Sequence, residues 1–269
     1  MIRHALITGG SSGIGFELAR QIVQNGASVS ILARRPEKLA EAEKALRPLA
    51  DVHGARVLTY SVDVSDRKAC ESACQIASDV LGVPDLTILN AGQARPGYFE
   101  EITPDVFETM MAVNYFGVLW CARALAPAMT MRGNGHIVFV ASGAALVGLF
   151  GYTAYAPSKF AVRGLAESLR GELKPKGVNV SIVYPPDTET PQLEQENRTK
   201  PAETKAITAS GGVMSAEAVA RAILKGIARN RFAIAPGFEM SALERLHSLL
   251  APGLRWHFDR LCKAARLHR

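Results

Sequence analysis

The sequence predicts an α/β chain built as one parallel sheet of about seven strands with helices on both faces. Three observations carry that expectation. Short apolar runs alternate with amphipathic stretches from the first residues onward. The first apolar run empties into a glycine-rich turn. The length of 269 residues fits one large domain able to bury a sheet under two helix layers.

The elements follow in order. Ala5–Thr8 reads as a strand, Gly13–Asn25 as a helix, Ser28–Ala33 as a strand and Pro36–Leu49 as a charged amphipathic helix. Arg56–Val62 is a third strand, Asp66–Leu81 a helix and Leu86–Leu89 a fourth strand. Thr103 and Pro104 supply an N-cap and a first-turn proline for a helix running to about Met131. Gly135–Ala141 is the fifth strand, Thr153–Pro175 holds a long helix, and Val178–Tyr184 is the sixth strand. The rhythm then stops. Residues Pro185–Met214, rich in Pro, Thr, Glu and Lys, read as a long loop, and such loops are usually functional lids or disordered. Ser215 caps a further helix to about Arg229, and Phe232–Ala235 is the seventh strand. Residues 1–235 form the expected catalytic domain with a lid over 185–214; residues 236–269 form a basic amphipathic tail.

Composition narrows the classes. The chain is 48% hydrophobic and 21% charged, as in a globular protein. A net charge of +6 selects no anionic partner. The basic pI of 9.2 comes without an aromatic–basic platform, so nucleic-acid binding is not expected. Cys70, Cys74, Cys121 and Cys262 contain no CxxC pair, and zinc would need more nearby ligands. They are expected to be reduced and structural in a cytoplasmic protein with no metal. The opening residues leave no room for a signal peptide before the first strand, and no run of about 18 uncharged apolar residues occurs.

The chemistry is concentrated at strand ends. Thr8-Gly9-Gly10-Ser11-Ser12-Gly13-Ile14-Gly15 lies between the first strand and helix. Glycines there let the backbone approach a pyrophosphate, and the next helix presents its free N–H groups and positive dipole end to it. Gly9, Ser11, Ser12, Gly13, Ile14 and Gly15 are therefore candidate cofactor contacts. An acidic residue about 20 positions further on would bind a ribose 2′-hydroxyl. Arg34 and Arg35 stand there instead, and guanidinium groups suit a 2′-phosphate, which favours NADP(H). Asp63 ends the third strand, where a carboxylate can reach the adenine amino group, with Val64 beside it. Asn90, Ala91 and Gly92 end the fourth strand and leave space for the cofactor.

Tyr155 and Lys159, at i and i+4, share one helix face. A neighbouring ammonium favours the phenolate, which would bring Tyr155 toward proton exchange near neutral pH. Ser142 closes the fifth strand, thirteen positions earlier, where its hydroxyl can polarise a carbonyl. Asn114 lies within the preceding long helix, where a buried amide is more often a plain hydrogen-bonder.

Together, TGGSSGIG, the Asn90-Ala91-Gly92 turn, Asn114, Ser142 and the YxxxK pair resemble the short-chain dehydrogenase/reductase family over essentially residues 1–235. The resemblance implies a Rossmann-type doubly wound sheet, a nicotinamide cofactor and no metal. It implies that Tyr155 exchanges the proton, Ser142 holds the substrate oxygen, Lys159 binds the nicotinamide ribose and lowers the Tyr155 pKa, and Asn114 supports a water-linked relay to Lys159. Pro185 and Thr188 join the implied cofactor contacts. The family usually shows Pro-Gly and a threonine after the sixth strand. Here the chain reads Pro185-Pro186-Asp187-Thr188-Glu189-Thr190-Pro191, then Glu196-Asn197-Arg198-Thr199-Lys200-Pro201 and Glu203-Thr204. Those stretches, with Gly148-Leu149-Phe150-Gly151 and Arg163-Gly164-Leu165-Ala166-Glu167, are similar to the subfamily of 3-ketosphinganine reductases. That likeness implies NADPH-dependent reduction of a long-chain keto lipid. A ketoreductase for another long-chain keto lipid, a 3-ketoacyl thioester or a hydroxysteroid stays open, as does a non-catalytic NADP(H)-binding regulator.

The tail differs from the membrane segments of eukaryotic members. It carries Arg255, Arg260, Lys263, Arg266 and Arg269 against one acid, Asp259, with Leu254, Trp256, Phe258, Leu261 and Leu267 between them. Two readings stand: peripheral contact with an anionic membrane at its cytoplasmic face, or packing on the subunit or a partner subunit. The family implies a homodimer or homotetramer.

Overall fold

A computed structural model describes residues 2–209 and 211–267, without the side chains of Arg266 and Leu267. The first half alternates without a break: β1 (His4–Thr8), α1 (Gly13–Gln24), β2 (Ser28–Ala33), α2 (Pro36–Asp51), β3 (Val57–Ser61), α3 (Arg67–Leu81) and β4 (Leu86–Leu89). The second half adds α4 (Pro104–Met111), α5 (Gly117–Arg132), β5 (Gly135–Val140), α6 (Tyr155–Leu173) and β6 (Val178–Val183). It continues with β7 (Thr188–Glu189), α7 (Pro191–Thr199), α8 (Ala202–Thr208), β8 (Met214–Ser215), α9 (Ala216–Ala228), β9 (Ala233–Ile234) and α10 (Phe238–Leu267).

Seven strands form one sheet in the order β3-β2-β1-β4-β5-β6-β9, every pair parallel. The order reverses between β1 and β4, which opens a crevice beyond their carboxyl ends. The two-residue period of a strand sorts the core into two layers. Ala5 and Ile7 of β1 pack with α1, α2 and α9 through Leu18, Leu39 and Ile223. Leu6 points the other way, to α3, α5 and α6 through Cys74, Leu125 and Val162. A fully buried Leu, Ile or Phe contributes about 1.5–3 kcal/mol, and Leu6, Ile7, Leu89 and Phe139 are all fully enclosed.

Two expectations change. The helix from Pro104 is interrupted: Ala112–Phe116 forms a π turn between α4 and α5, and Asn114 sits buried within it. The 185–214 segment is not a loop. Thr190 accepts the Leu193 N–H as N-cap with Pro191 at the first turn, so α7 starts there; Pro201 starts α8, and β7 pairs with β8 to close the excursion. Local capping chemistry supplied helices where composition suggested irregular chain.

Cys70, Cys74 and Cys121 are buried, their sulfurs within 4.8 Å of one another; the fold brings the third thiol to the i, i+4 pair, with Cys70 Sγ 3.0 Å from Cys121 Sγ. No helix among the described residues is long and apolar enough to cross a membrane.

His136 of β5 is buried, its Nε2 2.7 Å from Ser181 Oγ. Burial lowers its pKa from 6.5 to about 4. The unfolded chain therefore binds more protons between those values, so this contribution is complete above pH 6.5 and is lost as pH falls through the window. Denaturant titrations are expected to show stability falling by up to about 3 kcal/mol across it, with the slope reduced in His136→Asn. An unchanged slope in that variant would remove His136 as the cause.

Candidate active site

The crevice at the switch point opens into a cavity of about 510 Å³. One end is the glycine turn. Gly9 has φ +66° and Gly13 φ +55°, the left-handed region that favours glycine. A Cβ on Gly15 would lie 2.3 Å from the Gly9 carbonyl oxygen and 2.6 Å from Asn90 Nδ2. Only hydrogen at these positions lets α1 approach the ends of β1 and β4 so closely. Thr8 Oγ1 accepts the N–H groups of Asn90 and Ala91, each at 3.0 Å, and Asn90 Nδ2 donates to the carbonyls of Thr8 and Gly9, each at 3.2 Å. Among the described residues no side chain caps the first turn of α1. Its N–H groups are thus available to an anion at the cavity edge. A dinucleotide pyrophosphate fits that cradle.

Gly9, Ser11, Ser12, Gly13, Ile14, Asn90, Ala91, Gly92, Ser142, Tyr155, Lys159, Pro185 and Thr188 all line the cavity. The structure does not bring Gly15, Arg34, Arg35, Asp63, Val64 or Asn114 to its wall. Gly15 acts through close packing. Val64 is buried against Gly117, where a Cβ would meet its Cγ2 at 2.6 Å. Arg34 and Arg35 are exposed beyond β2, and Arg34 lies 3.8 Å from Asp63. Burial raises the Asp63 carboxyl, but the hydroxyl and N–H of Ser65 and the Arg34 charge together hold it below its ordinary value.

At the other end, α6 opens on Tyr155, and its second turn brings Lys159 to the same buried face. Ser142 follows β5, and its hydroxyl reaches Tyr155 closely enough to favour the phenolate. Lys159 Nζ donates to the Val140 carbonyl at 3.1 Å. Gly92 leaves room for this: a Cβ there would lie 3.3 Å from Lys159 Nζ and 3.2 Å from Asn114 Oδ1. Asn114 uses its whole amide. Oδ1 accepts the Gln93 N–H at 2.9 Å, and Nδ2 donates to the Gln93 carbonyl at 3.0 Å and to Ser158 Oγ at 2.9 Å. It therefore ties the end of β4 to α6.

The expectation that Lys159 lowers the Tyr155 pKa is not met by the protein's own groups. Burial pushes the Tyr155 hydroxyl upward, the Glu196 charge adds to it, and the Ser142 bond only partly opposes them. Burial also lowers Lys159, to about 8, against the pull of Glu196. Lys159 Nζ stands 5.7 Å from the Tyr155 ring centre and is engaged with Val140. Desolvation and the Glu196 charge outweigh the Ser142 contribution, a balance that favours the protonated tyrosine.

Sequence reasoning gave no role to several residues here. Tyr152 packs on Tyr155 with ring centres 5.5 Å apart and donates to Glu196 Oε2 at 2.9 Å. Buried Lys200 pairs with Asp187 at 3.2 Å. Tyr98 donates to Glu203 at 2.8 Å, and Thr204 to the Phe150 carbonyl at 2.9 Å. The polar residues of the 196–204 stretch are thus the anchors that seat α7 and α8. Val147, Leu149, Ile207, Met240, Leu243, Leu254 and Phe258 supply an apolar wall, the last four from α10. The period of Leu254, Phe258 and Leu261 was the available signal that this helix face turns inward.

A glycine turn at a sheet's switch point, opening onto a Ser–Tyr–Lys set whose Tyr and Lys are buried, defines a dinucleotide-dependent class of oxidoreductase. A profile described as short chain dehydrogenase matches residues 3–201, and the chain belongs to that family of enzymes. Among curated proteins it is 43% identical over 244 residues to the 3-dehydrosphinganine reductase of Danio rerio, covering 89% of this chain and 74% of the relative. It is 41% identical over 250 residues to the 3-ketodihydrosphingosine reductase of Mus musculus, covering 93% and 75%. Among solved structures, a short-chain dehydrogenase from Sphingobium yanoikuyae in complex with NADPH superposes with TM-score 0.79 at 27% identity, covering 94% of this chain and 95% of that one. One from Burkholderia phymatum in complex with NAD gives TM-score 0.81 at 26% identity, covering 93% and 94%.

Gly15→Ala is expected to cost about 1–3 kcal/mol of stability, because its Cβ meets fixed backbone. Gly171→Ala in α6, with nothing within 4 Å, is expected to gain about 0.4–1 kcal/mol. Chemical denaturation of both checks this, and equal effects would contradict the close-packing argument.

Proposed function

We propose that the protein reduces a long-chain 3-keto amino alcohol, 3-ketosphinganine, to sphinganine with NADPH. The observation that carries the reading is the two-ended cavity: a Ser–Tyr–Lys set at its polar end runs directly into the apolar wall built by α8 and α10. The names of the relatives from Danio rerio and Mus musculus support the same substrate.

The glycine turn and the first turn of α1 hold the pyrophosphate. Arg34 and Arg35 take the 2′-phosphate, and Asp63 and Val64 border the adenine. Lys159 holds the nicotinamide ribose, with Asn90, Ala91, Gly92, Pro185 and Thr188 around it. When bound, the nicotinamide supplies the hydride. Ser142 and Tyr155 together hold the ketone oxygen. Tyr155, kept protonated by burial, delivers its proton to that oxygen as it becomes a hydroxyl. Asn114 keeps Gln93 and Ser158 in register behind Lys159, which supports a relay that returns a proton to the tyrosine. The chain itself contributes position and electrostatics.

The outer face of α10 exposes Leu249 and Trp256 beside Arg245, Arg255, Arg260 and Lys263, with Arg260 over the Trp256 ring at 4.9 Å. We read this face as a peripheral contact with an anionic, cytoplasmic membrane surface, while the inner face packs on the subunit. Arg266, Leu267 and Arg269 of the expected amphipathic pattern have side chains outside the described residues. The exposed rings of Phe116 and Phe160 support a homodimer or homotetramer formed about α5 and α6.

NADPH oxidation is expected to be fastest with 3-ketosphinganine, compared with a 3-ketoacyl thioester and a steroid ketone. Turnover of only another ketone would overturn the substrate assignment. Tyr155→Phe is expected to lower kcat by roughly 10²- to 10⁴-fold while binding NADPH nearly as before; normal turnover would remove Tyr155 as donor. Replacing Arg34 and Arg35 with Ala is expected to weaken NADPH far more than NADH, by roughly 10-fold or more. Equal losses in fluorescence titrations would argue against the phosphate contact.

A further inference from the structure

One carboxylate at the polar end of the cavity has no ion pair among the described residues, although its charge reaches Tyr155 and Lys159. Glu196 on α7 is only 8% exposed, yet it lines the cavity. Its Oε2 accepts from the Tyr152 hydroxyl and its Oε1 from Gln192 Nε2, each at 2.9 Å. Both donors are neutral. Among the described residues no cationic side chain forms an ion pair with it. The ammonium nearest in sequence, Lys200, is taken by Asp187.

A buried carboxylate without a cation is costly, and a bound cation offsets that cost. The other carboxylates of the wall are unlike it: Asp187 already has Lys200, and Glu239 is exposed to solvent. Glu196 is also close to the chemistry. Tyr152 bridges it to Tyr155 through packed rings.

We infer that Glu196 is the ammonium subsite, receiving a protonated amine on the carbon next to the reacting ketone. This rests on the proposed substrate being a 2-amino-3-ketone. With the ketone oxygen between Ser142 and Tyr155, that amine is one carbon away from the carbonyl and has to sit at the polar end. The carboxylate meets it there, Tyr152 and Gln192 fix the carboxylate, and the hydrocarbon chain runs toward α8 and α10. The residue thereby separates α-amino ketones from plain ketones of the same length.

The test compares kcat/KM for 3-ketosphinganine, for the same ketone with hydrogen in place of the amine, and for its uncharged N-acetyl form. Wild-type protein is expected to favour the free amine by roughly 10- to 100-fold over the deamino ketone. In Glu196→Gln the ratio is expected to fall to near one, whereas Tyr152→Phe, which keeps the charge, is expected to retain a clear preference. The N-acetyl ketone, read on wild-type protein alone, is expected to lose the amine's advantage even if the variants fail to fold. Reduction of both ketones by wild type without an amine preference, or an equal fall for both in Glu196→Gln, overturns the inference and leaves the substrate class standing. Absence of turnover with 3-ketosphinganine, in protein that reduces another ketone, overturns the substrate reading and the inference with it.

Discussion

The site depends on how closely α1 approaches the sheet at its switch point. Two glycines without side chains and the Thr8–Asn90 hydrogen bonds hold the ends of β1 and β4 together. A methyl group at Gly15 would meet backbone at 2.3 Å, so the contact leaves no slack. From that fixed point the uncapped helix end faces the cavity, and β4 continues into Ala91 and Gly92. Gly92 in turn leaves room for both Lys159 Nζ and Asn114 Oδ1 beside it. The anion cradle and the Lys159–Asn114 corner of the site are therefore parts of one packed unit rather than separate features.

The second structural decision is electrostatic. Glu196, Lys200 and Glu203 are buried, which polar chains accept only when their groups are bonded. Each is matched to a partner outside its own helix: Tyr152, Asp187 and Tyr98. The matching seats α7 and α8 against the cavity, because a displaced helix would leave these buried groups without partners. Gly151 shares in it, since φ +77° and a Cβ position 2.4 Å from Thr204 Oγ1 leave space for nothing larger than hydrogen.

Burial also sets the acidity of the two ionisable groups on α6. Desolvation and the nearby Glu196 carboxylate raise the Tyr155 pKa, and the Ser142 hydroxyl only partly opposes them. Lys159, lowered to about 8 by the same enclosure, stays near the edge of its charged range at neutral pH. The i, i+4 spacing on α6 could not reveal this, since it places two groups on one face but not what surrounds them.

Strand periodicity and glycine placement in the sequence determined the parallel sheet, the position of the cradle and the Ser142, Tyr155 and Lys159 set. Those signals are local: a two-residue alternation, a turn that only glycine allows, a four-residue helical step. What only the tertiary structure decided involves residues far apart in the chain. It closed α10 over the cavity through Met240, Leu243, Leu254 and Phe258, split the Pro104 helix at Asn114, and turned the 185–214 segment into two anchored helices. It also brought the Glu196 charge within reach of Tyr155, with Tyr152 between them. Such pairings are fixed by long-range packing and by where buried charge can find a partner, and neither leaves a period in the sequence.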